Sequence, residues 1–224
     1  MQVEISGITV SIQKKKIKNL RLTVSPDGVR VSAPMHMSDE DIMLFLREKL
    51  DWIQKHREKF AQKEQFAARE YVSGETLYLF GEPYALRVVE GKRPSLILLE
   101  NELILTAKKD STRDYREAIV NEWYRERLKE KVALLLPKWE SITGLYADAW
   151  QIKNMKTRWG TCNTKTRKIW LSLQLAQKPT VCLEYVILHE LAHLKVRNHG
   201  KAFEAILNRH MPSWRDVKKA LNAL

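Results

Sequence analysis

Three residues in one short stretch have the types and spacing for hydrolytic chemistry. His189, Glu190 and His193 form an H-E-x-x-H pattern within Val181 to His199. On a helix, positions four apart share a face, so both imidazoles can reach one cation. Glu190 is rotated by about 100° from His189 and precedes His193 by three, so its carboxylate can flank the ion without being a ligand. Imidazole donors suit Zn²⁺, which lowers the pKa of a bound water to about 7, and Glu190 is the base placed to take the proton. The flanking Leu183, Val186, Ile187, Leu191 and Leu194 mark a buried helix that starts at Pro179 and Thr180. Two histidines and a carboxylate on such a helix need something to compensate their burial, and a metal ion does so.

A catalytic zinc needs a third protein ligand. His199, Glu204 and His210 are candidates, in that order. A chain turning back at Gly200 could bring His199 to the ion. Upstream, Arg158 lies in a loop that runs Thr157-Arg158-Trp159-Gly160-Thr161-Cys162. Its planar fork fits a developing oxyanion or a phosphate, and equally an ion pair that holds the loop. Trp159 and Trp170 read as core rather than as stacking platforms. Cys162 is either a fourth ligand or a small buried hydrophobe, and Cys182 reads as core. His36 and His56 have no partner pattern.

The run His189-Glu190-Leu191-Ala192-His193-Leu194, followed by Asn198-His199-Gly200-Lys201-Ala202-Phe203, resembles the YgjP-like metallopeptidase family, distant kin of the SprT-like zinc proteases. Arg158-Trp159-Gly160-Thr161-Cys162 is similar to that family's R-W-G-S-C segment, with Thr161 in place of Ser. The spacing to Trp170-Leu171-Ser172-Leu173 and to Pro179 also matches. The resemblance covers most of the chain and is specific from about residue 150 onward. It implies that His189, His193 and His199 are zinc ligands, that Glu190 is the catalytic base, and that the C-terminal half is a compact zincin-type domain. Some relatives carry a nucleoside-triphosphate pyrophosphatase assignment instead of a protease one.

These residues need a scaffold, and the rest of the chain supplies strands and helices in mixed order. Ile8–Ile12, Leu20–Val24 and Val29–Ala33 alternate with period two, and Ser25-Pro26-Asp27-Gly28 is a turn between the last two. Ser38 with Asp41 starts a helix whose apolar positions continue to about Ala68. Leu77–Phe80 with Tyr84–Val89, and Leu96–Leu99 with Leu103–Leu105, are two hairpins. A second helix runs from near Arg113 to Pro137, with Tyr115, Ile119, Trp123, Leu128, Val132, Leu135 and Leu136 facing inward. Trp150–Met155 and Ile169–Leu173 are further strands. No internal repeat and no linker is visible. The fold class is therefore α+β, with a β-rich N-terminal region over residues 1–110 and a metal-dependent hydrolase core over residues 111–224.

Composition bounds the function. At 224 residues, 44% hydrophobic and 29% charged, the chain can bury a real core, which excludes disorder. No apolar run reaches the roughly 18 to 20 residues of a membrane span, and MQVEISGITV lacks the marks of a signal peptide. Two cysteines fit a reducing compartment, so the expectation is a cytoplasmic protein without membrane partners. The net charge of +12 is concentrated in residues 150–224, with 14 Lys/Arg against 4 Asp/Glu. A cationic surface recruits anionic partners. The leading reading is a zinc-dependent peptidase acting on acidic or nucleic-acid-associated proteins, with Ile169–Leu173 as the sheet edge that receives an extended substrate. The alternative is a metal-dependent pyrophosphohydrolase of nucleoside triphosphates such as UTP, with Lys156, Arg158, Lys165, Arg167 and Lys168 on the phosphates. A nucleic-acid-binding module with an incidental metal explains the charge but not Glu190, and no reader signature accompanies it.

Overall fold

Ile8, Val10 and Ile12 alternate with polar residues, as do Val29, Val31 and Ala33, and the two rows become one buried sheet face. The computed structural model describes residues 2–25, 28–55, 69–155 and 157–222 and divides the chain into two units, Met1–Arg69 and Glu70–Leu224. In the first unit, β1 (Gln2–Ile5), β2 (Ile8–Lys15), β3 (Arg21–Ser25) and β4 (Gly28–Pro34) form a sheet of order β1-β2-β4-β3. β2 runs parallel to β4, and the other pairs are antiparallel. α1 (Asp39–Glu48) starts where Ser38 Oγ accepts the Asp41 N–H at 3.1 Å. Its Ile42 and Leu46 join the core of that sheet, as does Ile53 from the helical residues 50–55. The rest of the helix expected up to Ala68 lies outside the described residues, as do Pro26 and Asp27 of the expected turn.

The second unit begins with the same arrangement. β5 (Thr76–Leu79), β6 (Glu82–Glu90), β7 (Ser95–Leu99) and β8 (Glu102–Ala107) form a sheet of order β5-β6-β8-β7, with β6 parallel to β8. A long helix, α2 (Arg113–Thr143), follows, capped by Thr112 as α1 is capped by Ser38. The first hairpin of each copy turns on a positive-φ pair ending in glycine, Ser6-Gly7 and Phe80-Gly81. The four-strands-then-helix plan therefore occurs twice, although no repeat is visible in the sequence. The copies share alternation, turn chemistry and a cap, which many residue choices satisfy.

The domain boundary expected at 110 differs from the division at Arg69/Glu70. Leu77, Leu86, Leu103 and Leu105 of the second sheet belong to one apolar cluster with Leu128 of α2 and Leu188 of the histidine-bearing helix. The sheet and the chemistry-bearing region thus share a core. Within α2 the buried row is Val120, Tyr124, Leu128 and Val132, while Tyr115, Ile119 and Trp123 are half-buried beside it. Tyr124 reaches inward because its hydroxyl donates to the Tyr78 carbonyl at 2.8 Å. α2 also continues past Pro137, its expected end, to Gly144. Buried Leu135, Leu136 and Trp139 on either side hold the last turns in place. Exposed Pro137 supplies no N–H to the helix ladder, and proline in a helix interior costs about 3 kcal/mol relative to alanine. Pro137→Ala is expected to raise the thermal midpoint by several degrees, since about 1 kcal/mol is worth about 2–4 °C in a protein of this size. A melting curve of the variant that does not rise would show that the helix already relieves the proline.

A third sheet carries the upstream loop. β9 (Ala149–Lys153), β10 (Gly160–Asn163) and β11 (Lys168–Ser172) take the order β10-β11-β9, with β11 parallel to β9 and antiparallel to β10. β11 is therefore central, and Ile169–Leu173 cannot be the substrate-receiving edge because both its sides are paired. β10, read from sequence as loop, is an edge strand. Trp170 projects to the face opposite buried Ile169 and Leu171, so it lies between Lys153 and Lys168 rather than in the core. Trp159 packs half-buried against the core and donates to Asn222 at 3.1 Å. A 3₁₀ turn (Leu173–Gln177) leads into α3 (Thr180–His193), followed by α4 (Lys201–His210) and α5 (Trp214–Asn222). The architecture is α+β, and among the described residues no helix is long and apolar enough to cross a membrane.

Candidate metal centre and active site

α3 is apolar on nearly every side: Leu183, Val186, Ile187, Leu188 and Leu191 are all buried. It stops at His193, six residues before His199, and residues 194–200 form a tight return. The Val196 N–H donates to the Ala192 carbonyl at 2.9 Å, and the Gly200 N–H donates to Asn198 O at 2.9 Å. This return carries His199 back over the helix. One nitrogen from each of His189, His193 and His199 lies within 4.8 Å of the others, and the Nε2 atoms of His189 and His199 are 3.0 Å apart.

The donor set fits a metal ion. His193 Nδ1 lies 3.2 Å from the Val196 carbonyl, which can only accept, so Nδ1 carries the proton and Nε2 keeps its lone pair. Burial, then His193 and His199, push His189 down to about 3, and burial also lowers His193. Both rings are thus neutral donors. Tyr185 Oη, 3.5 Å from His189 Nδ1, stands on the far side of that ring, and Tyr185 itself stacks on Trp214. Phe203 of α4 is 2% exposed and lies 4.7 to 4.9 Å from all three imidazole centroids, forming the floor beneath them. Phe203→Ala is expected to loosen all three rings at once and to weaken zinc binding about 10- to 100-fold, the usual range for residues that orient ligands. A competitive chelator titration reads that change, and an unaltered affinity would assign Phe203 to packing alone.

Glu190 is 4% exposed, and burial raises its carboxyl to about 8, against the pull of Arg158. It is held beneath β10. A β-carbon on Gly160 would lie 2.6 Å from Glu190 Oε1, 2.9 Å from its Cγ and 2.9 Å from Val186 Cγ1. Gly160 thus has an ordinary backbone but no room for a side chain. Sequence reasoning recorded this glycine only as part of a motif, and its purpose depends on a contact across 30 positions.

The other candidates separate clearly. Glu204 is bound to Arg215 at 2.6 Å, and His210 lies outside the histidine cluster. Cys162 also lies outside it, and burial, then Glu190, raise its thiol to about 11. Cys182 is buried as expected. Arg158 is exposed, lines the cleft above Glu190 and forms no salt bridge among the described residues. Lys165 lines the same cleft. Arg167 is instead held by Asp148 at 3.1 Å and by the Tyr146 carbonyl, Lys168 lies over Trp170, and Lys156 is outside the described residues. Arg197, which the sequence did not single out, joins the cleft because the 194–200 return carries it there. The cleft has a volume of about 720 Å³.

The family model for the YgjP-like metallopeptidase domain matches residues 18–224. The chain belongs to the YgjP-like metallopeptidase family. It is accordingly a metallopeptidase of the hydrolase class, whose family implies a divalent metal and a protein or peptide substrate. Two crystal structures of metallopeptidase zymogens are similar to this YgjP-like chain. Pyrococcus abyssi abylysin is 22% identical, with a TM-score of 0.38 over 40% of this chain and 90% of that one. Methanocaldococcus jannaschii jannalysin is 23% identical, with a TM-score of 0.37 over 40% of this chain and 92% of that one. No curated protein matches the chain.

Proposed function

We propose that this YgjP-like chain is a zinc-dependent peptidase, with His189, His193 and His199 as the metal ligands, Glu190 as the general base and Arg158 beside the reacting carbonyl. The observation that carries this reading is the meeting of three imidazole nitrogens with a buried carboxyl at the base of an open cleft. When bound, the ion activates water and polarises the scissile carbonyl. Glu190 takes the proton from the attacking water and passes it to the leaving amine. Its burial raises its proton affinity toward neutrality, where a base works best, although a cation alongside opposes that rise. Arg158 donates its N–H groups to the oxygen on which negative charge develops. β10 is paired only to β11 among the described residues, so an extended peptide can add to its free side. Two free cysteines fit a reducing, cytoplasmic setting.

Of the five cations expected on a nucleotide's phosphates, Arg167 and Lys168 are engaged elsewhere, and no observation favours the pyrophosphohydrolase over the peptidase. The test offers both substrates to one zinc-loaded sample, an unfolded protein and a nucleoside-triphosphate mixture, with products read by mass spectrometry. Peptide fragments are expected, lost when the metal is stripped by a chelator and regained when zinc is restored. Nucleoside monophosphate with pyrophosphate, and no fragments, would overturn the peptidase.

A further inference from the structure

The cleft over the histidines has an unbalanced electrostatic lining. Among the described residues that line it, Arg158, Lys165 and Arg197 are cationic and exposed, while the one acid, Glu190, is buried. Neither Lys165 nor Arg197 forms a salt bridge among the described residues, whereas Arg167 and Arg215 nearby in sequence are paired with Asp148 and Glu204. Both free cations stand on fixed backbone. Asn163 Oδ1 accepts the N–H groups of Lys165 and Thr166 at 3.0 and 3.2 Å, which pins the β10–β11 turn. Arg197 follows Val196, whose carbonyl meets His193 Nδ1 and whose N–H is bonded to Ala192 O.

We infer that this cleft selects peptides bearing an aspartate or glutamate within about five residues of the scissile bond, and that Lys165 and Arg197 are the residues that select it. This rests on the peptidase reading and names its substrate class. Glu190 lies against Gly160, the first residue of β10, and Lys165 stands two residues beyond its last, Asn163. Lys165 is five positions on from Gly160, so a peptide laid along β10, at about 3.4 Å per residue, reaches it about four or five residues from the bond being cut. Two exposed like charges lining a cleft that has no exposed acid among its described lining residues attract a carboxylate and repel basic peptides. They also account for part of the +12 net charge of the chain through the reaction rather than through nucleic acid.

The test uses the zinc-loaded full chain and a peptide mixture of diverse sequence, with cleavage sites read by mass spectrometry. It is followed by matched peptides that differ only by Glu against Gln near the cut. A preference of about tenfold in kcat/KM for the acidic member is expected, shrinking as salt is raised. In a Lys165→Glu, Arg197→Glu double variant the acidic-to-neutral ratio is expected to fall below one, and in the milder double glutamine variant to approach one. A wild-type ratio at or below one, or a ratio that the variants leave in place, overturns the inference while cleavage itself upholds the peptidase. Absence of any cleavage that depends on Glu190 overturns both.

Discussion

A Glu190→Gln enzyme is expected to hold its zinc and to lose peptide hydrolysis by about 10²- to 10⁴-fold, the usual contribution of a positioned general base. The amide keeps the volume of the side chain, so the contacts under Gly160 persist, but it cannot take a proton. The three imidazoles are untouched, so bound metal measured by elemental analysis should remain at one ion per chain. Stability is expected to hold or rise, because the carboxyl it replaces is 4% exposed and burial penalises its charged form. Full activity in this variant would remove Glu190 from the reaction. Loss of metal together with activity would make it a ligand or a structural support instead of a base.

The second large effect is expected from a single methyl group. In Gly160→Ala the new carbon would stand 2.6 Å from Glu190 Oε1 and 2.9 Å from Val186 Cγ1, closer than real contacts allow. Either β10 lifts away from α3 or the carboxylate is displaced. Overpacking of this kind costs about 1–3 kcal/mol, and a catalytic group displaced by about 1 Å loses about 100-fold in rate. A fall in thermal midpoint combined with a fall in kcat, with zinc still bound, is the expected pair of readings. Wild-type kcat in this variant would show that β10 and Glu190 are not in fixed register, and would detach the strand edge from the chemistry. The two substitutions separate the base from its placement: the first alters the proton acceptor in an unchanged pocket, the second alters the pocket around an unchanged acceptor.

The histidine pair and its carboxylate were legible in the sequence because their geometry is local. Four residues span about one helical turn, so the spacing of His189 and His193 by itself puts both rings on one face. The same holds for the cap at Ser38 and for the four hairpin strands of residues 76–107, whose alternation and turn residues are short-range signals. The α+β class follows from those elements. The third imidazole was reachable in sequence only as one of three candidates, until the resemblance singled out His199. In the structure, the 194–200 return carries His199 to the pair, while Arg215 draws Glu204 away.

What only the tertiary structure decided rests on contacts between distant segments. Sequence alternation marks a strand but not its neighbours, so it could not say that β11 is central and β10 the edge. Pro137 reads as a stop because its local cost is real, yet the packing of Leu135, Leu136 and Trp139 outweighs it. The structure divides the chain at Arg69/Glu70 because shared burial, invisible in composition, joins the second sheet to the histidine-bearing helix. The net charge was plain from the start, but which cations are unpaired depended on which had found a carboxylate: among the described residues Arg167 and Arg215 had, and Lys165 and Arg197 had not. Helical spacing thus put His189 and His193 on one face, and long-range packing determined which strand edge and which cations surround them.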